Sequence, residues 1–562
     1  FRTNVQHKFN NFLKIGTHMQ YSYTEANMAE LSNYQGALND IWRDGWPTLP
    51  VYREDGTFAV PQDNPRISTL FGDAAYWNPV ANYKEVTTKS NVSRLLGDVY
   101  AEFQLAKGLT FKTNFGLDIA NKRDYNYTTS KITTSTGYGK GGNGYTKKMS
   151  RLTENILSYM NEWGDHRFTA TGVYSWQNYM YETLSISGNG FANDETGAWD
   201  MGQANRETVE YGSDKYENSL ISWTGRVTYA YKDRYLLTAT VRGDGATNFA
   251  KGNKWGVFPS VSGAWRISEE NFWKNSKLMN VVNSLKLRVG YGVTGNNAIG
   301  SSKYTTNYSQ TTYPMGNNEN NSAYVVGTTL GNKDLKWETL HATNIGLDIS
   351  LFNSRVNLTA EWYNNQISDL LMNCVIPSST GYSSQYQNVG EMRNRGWEIT
   401  LNTVNINTKN FRWTTDLNLA FNSSKVLALE GVEDHKTFAA GSNRSGTLTY
   451  YAVVGEALGD MYGYVYDGIY TTDDFTQGED GSFILRDGVV KPFDGTPQPG
   501  DIKFAADNEA GDQFTRQYVK IGNGTPDCIG GFNNTFSFYG FDLSVFMKFS
   551  IGNDVYNATK HS

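Results

Sequence analysis

Residues 96–119 read LGDVYAEFQLAKGLTFKTNFGLDI, and their alternation decides the fold. Val99, Ala101, Phe103 and Leu105 fall on one face of an extended chain, with Asp98, Tyr100, Glu102 and Gln104 on the other. After a tight turn at Ala106-Lys107-Gly108 the pattern resumes. Leu109, Phe111, Thr113, Phe115, Leu117 and Ile119 face one way, and Thr110, Lys112, Asn114, Gly116 and Asp118 the other. A period of two marks a β-strand, because successive side chains point to opposite faces. Each arm runs ~10 residues, the length a tilted strand needs to cross the hydrocarbon core of a bilayer. One apolar face and one charged face suit a wall between lipid and a wet lumen.

The pattern recurs. Ile221–Val241 repeats it around Lys232-Asp233-Arg234, with Trp223, Val227, Leu237 and Val241 out, and Arg226, Thr238 and Arg242 in. Thr343–Trp362 repeats it around Phe352-Asn353-Ser354-Arg355, with Ile345, Leu347, Ile349 and Leu351 out and Asn344, Asp348 and Ser350 in. Thr535–Ser550 turns at Tyr539-Gly540, with Leu543, Val545, Met547 and Phe549 on one face; Phe546 breaks the pattern on the other. Weaker copies fall at Asn11–Thr24, Arg151–Ile186, Gly256–Ile267, Leu285–Val293 and Trp397–Phe421. Roughly fifteen strands follow, paired antiparallel and in sequence order.

One amphipathic hairpin is the commoner mark of a soluble sandwich. Three features turn the reading toward a membrane barrel. The strands exceed the ~5–6 residues usual in soluble sheets. The connections are asymmetric: some of two to four residues, others spanning 25–90, 294–336 and 467–520. Short turns at one rim and long loops at the other are the outer-membrane arrangement. Aromatics make up 14% of the chain. Trp163, Trp176, Trp223, Trp265, Trp362, Trp397 and Trp413 are read as lying near strand ends, as an interfacial girdle requires.

A single ordinary soluble domain does not reach 562 residues, and no domain linker interrupts the hairpin rhythm. Mean hydropathy of −0.54 excludes a helical membrane protein but not a barrel, which shows lipid only every second residue. Twelve prolines against 56 glycines fit twisted sheet with tight turns. A net charge of −6 argues against nucleic acid as a partner. Nothing supports a disulfide between the distant Cys374 and Cys528, and the pair gives no secreted-scaffold signal. Phe1–Gln6 already reads as the end of a strand, so the chain is taken for a fragment.

Chemistry is sparse. The six histidines form no HExxH or other ligand spacing, so no zinc site is expected. No GxSxG elbow is present. Gly139-Lys140-Gly141-Gly142-Asn143-Gly144 fits GxGxxG, but no helix follows it to cradle phosphate, and it reads as a flexible loop tip. Glu269-Glu270 and Asp473-Asp474 read as solvated loop carboxylates. No catalytic residue is assigned. The loop at 34–79 differs in carrying Trp42, Trp46, Tyr52 and Trp77 among Asp, Arg and Asn side chains. Aromatic faces beside hydrogen-bonding groups suit sugars or peptides, so these four are the ligand-facing candidates. The plainer alternative is that they pin a long loop to itself or to a partner.

Several collinear blocks carry a family resemblance. They are WTGRVTYAYKDRYLLTATVRGDGATNFAKGNKWGVFPSVSGAWRISEENF (223–272), LKLRVGYGVTGN (285–296) and NKDLKWETLHATNIGLDISLFNSRVNLTAEWYNNQISDLL (332–371). NVGEMRNRGWEITL (388–401), PGDIKF (499–504) and GTPDCIGGFNNTFSFYGFDLSVFMKFSIGNDVYN (524–557) complete them. Together they resemble the SusC/RagA family of TonB-dependent outer-membrane transporters of Bacteroidetes. The resemblance implies an all-β fold, a transmembrane antiparallel β-barrel of the 22-stranded plugged class. Residues 1–562 would be a barrel-domain fragment, with the plug, the first strands and the last strands absent. It implies multi-pass placement in outer-membrane lipid, and import of glycan oligomers or peptides beneath a SusD-like surface lipoprotein. Energy would come from TonB, ExbB and ExbD through the missing N-terminal region. A passive porin or a surface adhesin barrel is the alternative. Relatives often carry an acidic, calcium-loop-like stretch after PGD. Here Ala506 and Ala510 replace two expected aspartates, leaving Asp507, Asn508, Glu509 and Asp512, so no metal or other cofactor is expected.

Overall fold

A computed structural model describes residues 1–28, 50–59, 63, 78–132, 138–314, 320–429, 435–443, 446–478, 481–490, 496–507, 515–516 and 518–555. Sixteen strands form its principal sheet: β1 (Arg2–Lys8), β2 (Leu13–Asn27), β3 (Val86–Ala106), β4 (Leu109–Thr128), β5 (Gly139–Trp163), β6 (His166–Phe191), β7 (Glu210–Tyr231), β8 (Tyr235–Ala246), β9 (Trp255–Arg266), β10 (Val282–Asn296), β11 (Glu338–Leu351), β12 (Val356–Ser368), β13 (Glu391–Asn407), β14 (Phe411–Ala428), β15 (Cys528–Phe538) and β16 (Phe541–Ile551). Their hydrogen-bonded order follows the chain without a crossover. The connections alternate between short and longer ones, with one exception. Those at 9–12, 107–108, 164–165, 232–234, 352–355, 408–410 and 539–540 are short. The intervening ones, at 28–85, 129–138, 192–209, 247–254, 297–337, 369–390 and 429–527, are longer. One connection on the short side departs from the expected two to four residues. Residues 267–281 hold Ile267–Glu269, Asn271–Lys274 and Lys277–Asn280 as short helical turns.

The chain divides into two compact units. In the first (Phe1–Met160, Ala170–Gly225, Asp244–Thr247), the opening hairpin pairs as its alternation requires, with Val99 opposite Phe115, Phe103 opposite Phe111 and Glu102 opposite Lys112. Val99 and Phe115 are 53% and 49% exposed, the signature of a face that meets lipid rather than a core. On the opposite face Gly16 sits across from Tyr100, whose ring occupies the space a Cβ would need. An aromatic laid over a cross-strand glycine pins register where alternation alone is weakly specific.

In the second unit (Asn161–Thr169, Arg226–Gly243, Asn248–Ser562), Leu287, Leu347 and Ala360 lie in one cross-strand row of β10–β12. The next row carries Lys286, Asp348 and Thr359 on the opposite face. There the Arg288 guanidinium donates to Asp348 at 2.9 and 3.2 Å and to Glu361 at 3.4 Å. At the β11–β12 turn Phe352, Asn353 and Ser354 all have positive φ, a left-handed path rare outside glycine. Cys374 and Cys528 are not joined to each other by a disulfide.

Two expectations change. The GxGxxG run is not a loop tip: it opens β5 and pairs with Asp124–Thr128 of β4. A Cβ at Gly141 would lie 2.7 Å from the Tyr127 ring and 2.9 Å from the Ala198 methyl, so the absent side chain makes room for residues 192–209 to pack on the strand. The tryptophans also divide. Trp163 and Trp413 lie within three residues of a short connection and Trp265 within three of the 267–281 connection on the same side, while Trp176, Trp223, Trp362 and Trp397 sit well inside their strands. Strands of 20–26 residues (β3–β7) overshoot the ~10 that cross a membrane, so the upper interface falls in mid-strand. Trp362 opposes Trp397 in register across β12 and β13.

Candidate functional site

The inward face of the first unit is polar and internally paired. His18 Nδ1 lies 3.0 Å from Asp98, and Lys14 3.9 Å from Glu102. Arg94 grips Asp118 in a two-point pair at 2.8 and 2.6 Å, and the Lys112 ammonium sits 4.3 Å over the Tyr100 ring. Register explains the clustering, since His18 opposes Asp98, and Lys14 opposes Glu102, across β2 and β3. A cleft of about 620 Å³ opens here, lined by Arg2, His18, Gln20, Asp98, Lys112 and Asp118.

Higher on the same strands lies a second cleft of about 660 Å³. Thr88, Asn126, Thr128, Lys140, Ser187 and Glu210 line it. Hydroxyls and amides dominate, with one cation and one carboxylate, a lining that can hydrogen-bond a polar ligand along its length. The sequence reading passed over these residues because it treated β3–β7 as wall alone. The available signal was strand length: each continues well past the point where its outward face stops being apolar.

Of the four aromatic candidates, Trp42, Trp46 and Trp77 lie outside the described residues. Tyr52 is described and remains 43% exposed. It bridges to Phe58 with the rings stacked at 5.3 Å, and its hydroxyl accepts from Lys84 at 3.0 Å. Asn78 ties the same turn together: its amide donates to the carbonyls of Val51 and Ala59 at 2.6 and 3.2 Å, while its carbonyl oxygen caps the helix Pro79–Glu85. Arg53 holds Asp63 at two points, 2.7 and 2.8 Å.

The loop carboxylates do more than solvate. Asp194 accepts from the Tyr127 hydroxyl at 2.9 Å, the Ser130 hydroxyl at 2.7 Å and the Ser130 backbone N–H at 3.0 Å. Desolvation pushes its pKa up, but those hydrogen bonds and the nearby Lys131 charge win, leaving it below the ordinary carboxylate value. Glu270 accepts from Tyr235, Trp265 and Arg234, which lower its pKa, and Asp474 closes a capping box with Thr471. Asp460, wholly buried, is met by the Lys520 ammonium at 2.7 Å. Among the described residues no group of three or more His, Cys, Asp or Glu side chains is placed to hold a metal ion. Ala506 and Asp507 pair with Arg516 and Thr515; 508–514, with the remaining acidic candidates, lie outside the described residues.

Residues 20–500 match the family described as TonB dependent receptor-like, beta-barrel. The chain belongs to that family. A TonB-dependent receptor of Formosa agariphila, P26, is 33% identical over 99% of this chain and 53% of its own length. The TonB-dependent receptor SusC of Bacteroides thetaiotaomicron is 28% identical over 91% of this chain and 50% of its own. The chain thus spans about half the length of these curated relatives. A solved RagAB peptide transporter structure superposes with a TM-score of 0.77 over 98% of this chain and 57% of that one, at 22% identity. This likeness supports the barrel fold. The alternating wall is therefore an outer-membrane β-barrel wall, of the SusC/RagA kind read from the sequence blocks. The family is one of receptors and transporters rather than enzymes. By the family's arrangement the long connections face the cell exterior and the short ones the periplasm.

Proposed function

We propose that residues 1–562 supply a large part of one barrel domain in an active importer of glycan oligomers or peptides. A SusD-like surface lipoprotein would close over the long-loop rim, and TonB with ExbB and ExbD would drive plug movement. The observation that carries this reading is family membership over residues 20–500. The polar upper cleft lined by Thr88, Asn126, Lys140 and Glu210 supports it, since a polymer passing inward meets hydrogen-bonding groups there. We place Trp42, Trp46, Tyr52 and Trp77 toward the captured ligand, with Tyr52 still offering an exposed ring beside Lys84. No covalent chemistry is involved.

Deleting the full-length gene and measuring growth on individual glycans and peptides tests the reading. Loss of growth on at least one large nutrient is expected, with monomers still used. Unchanged growth on every one would overturn import. In the full-length protein, alanine at all four aromatics is expected to weaken ligand capture about tenfold or more, given ~0.5–1.5 kcal/mol per lost aromatic contact. Barrel abundance in the membrane should not change.

A further inference from the structure

The outward face of the first unit holds a cavity where a plain lipid-facing wall would have none. Its volume is about 510 Å³, and Tyr23, Asn121, Arg123, Tyr145, Leu184 and Ile186 line it. Register fixes which side it opens on. β4 pairs with β5 without a bulge from Leu109 to Thr128, so Asn121 and Arg123 share the face of Phe115, Leu117 and Ile119. Tyr145 opposes Arg123, and Tyr23 opposes Ser93 on the face of Val99.

Its level follows from the chain. The apolar run on β4 goes from Leu109 to Ile119, and Asn121 is the first polar residue above it. Eleven residues at ~3.3 Å, tilted ~40°, rise ~28 Å, about the height of the apolar band of such barrels. The cavity therefore lies where hydrocarbon gives way to headgroups on the long-loop side, the outer leaflet.

Its chemistry is equally defined. Leu184, Ile186 and the tyrosine rings make an apolar floor, and Arg123 stands exposed at the rim. The guanidinium lies 4.8 Å over the ring of Trp199, which is itself 54% exposed and stacked on Tyr125 at 4.4 Å. Arg123 makes no ion pair with a described residue. Register sets Lys147 opposite Asn121 and Lys89 opposite Tyr125 on this face, against Glu25 opposite Asn91. Cations above an apolar pocket at the leaflet boundary call for an amphiphile with an anionic head. Exposed aromatic rings beside an amide favour a sugar in that head.

We propose that this cavity binds a phosphorylated glycolipid of the outer leaflet, its phosphate on Arg123 and an acyl chain against Leu184 and Ile186. Bound there, the lipid would brace the 192–209 connection through Trp199 without entering the lumen. The site is independent of whether the barrel imports anything.

The test uses the purified full-length protein in mild detergent, with bound lipid counted by native mass spectrometry. Bis-phosphorylated lipid A, its dephosphorylated form and phosphatidylglycerol are titrated separately. Bis-phosphorylated lipid A is expected to bind at least about fivefold more tightly than either, a difference of ~1 kcal/mol. Arg123→Glu and Arg123→Gln should each remove that preference. Leu184→Trp, which fills the floor and keeps the charge, should reduce retention of all three. Lys107→Glu, the same charge change at a short turn, should alter nothing. Equal retention by the parent and the Arg123 variants, or equal binding of phosphatidylglycerol, would overturn the proposal. Should Arg123→Glu fail to fold, judged by its heat-shifted gel mobility, Arg123→Gln and Leu184→Trp decide the matter.

Discussion

The wall and the long connections are stabilised by different rules. In the wall at β10–β12, position in the alternation decides what a side chain meets: Leu347 shares the outward row with Leu287 and Ala360, while one residue along Asp348 is gripped by Arg288. In the connections, single polar anchors hold otherwise irregular chain: Asp194 fastens 192–209 to Ser130 and Tyr127, and Lys520 neutralises buried Asp460. The wall is thus sensitive to which face a residue occupies, and the connections to which hydrogen bonds survive. A charge placed by parity tests the first rule, and deletion of an anchor tests the second.

The largest expected effect is in the wall. Leu347→Arg puts a charge among outward apolar neighbours and should cost ~2–4 kcal/mol near mid-membrane. Ser350→Arg turns toward the lumen, where it displaces a 2.8 Å bond to Asn357 and should cost less than ~1.5 kcal/mol. Urea unfolding in lipid vesicles measures both, and equal losses would break the facing assignment. Next comes Lys520→Met. It strips the partner from a wholly buried carboxylate and should destabilise the 460–523 region by ~1–3 kcal/mol. Hydrogen exchange should show faster exchange at Asp460–Tyr464 and unaltered protection in β10–β12, since the two rules act in separate places.

The same division explains what the sequence made legible. Turns at Lys107-Gly108, Lys232–Arg234, Phe352–Arg355 and Tyr539-Gly540 fall where alternation put them, because a two-residue period broken by a short polar run has one reading. Alternation carries no height, so Trp176 and Trp397 passed for strand ends when the strands continue beyond the membrane. It carries no long-range packing either. Gly139–Gly144 passed for a loop tip because Tyr127 and Ala198, which need the missing side chains, lie far off along the chain. Asp194 sits 64 residues from Ser130, and no local pattern joins them. The upper cleft was missed for the same reason: its lining is assembled from β3 to β7, and each contributor alone reads as ordinary polar wall.

A smaller effect sharpens the anchor rule. Asp194→Asn keeps the shape but loses the charge that makes its hydrogen bonds strong, so residues 192–209 should loosen by about 1 kcal/mol. Limited proteolysis of that connection should quicken while barrel unfolding stays put. The pH dependence has a definite sign. A carboxyl whose folded pKa is depressed contributes stability that is complete above its unfolded value, ~3.9, and is lost as pH falls through the lower folded value. Cleavage by an acid-active protease should therefore rise in the parent below about pH 4 and be nearly pH-independent in Asp194→Asn.

The smallest expected effect concerns the turn that presents Tyr52. Arg53 and Asp63 are a third or more exposed, so their two-point pair is screened by water and should contribute only ~0.2–1 kcal/mol. Arg53→Lys keeps the charge and loses the fork that gives the pair its geometry. If the turn is held chiefly by Asn78 and the Tyr52–Phe58 stack, that change should leave ligand capture within about threefold of the parent, ~0.6 kcal/mol. Asn78→Ala, which removes two carbonyl contacts and a helix cap, should then cost more than Arg53→Lys in both stability and capture. The reverse order would mean that the Arg53 fork positions Tyr52, and that here an exposed ion pair, rather than a buried amide, sets the loop.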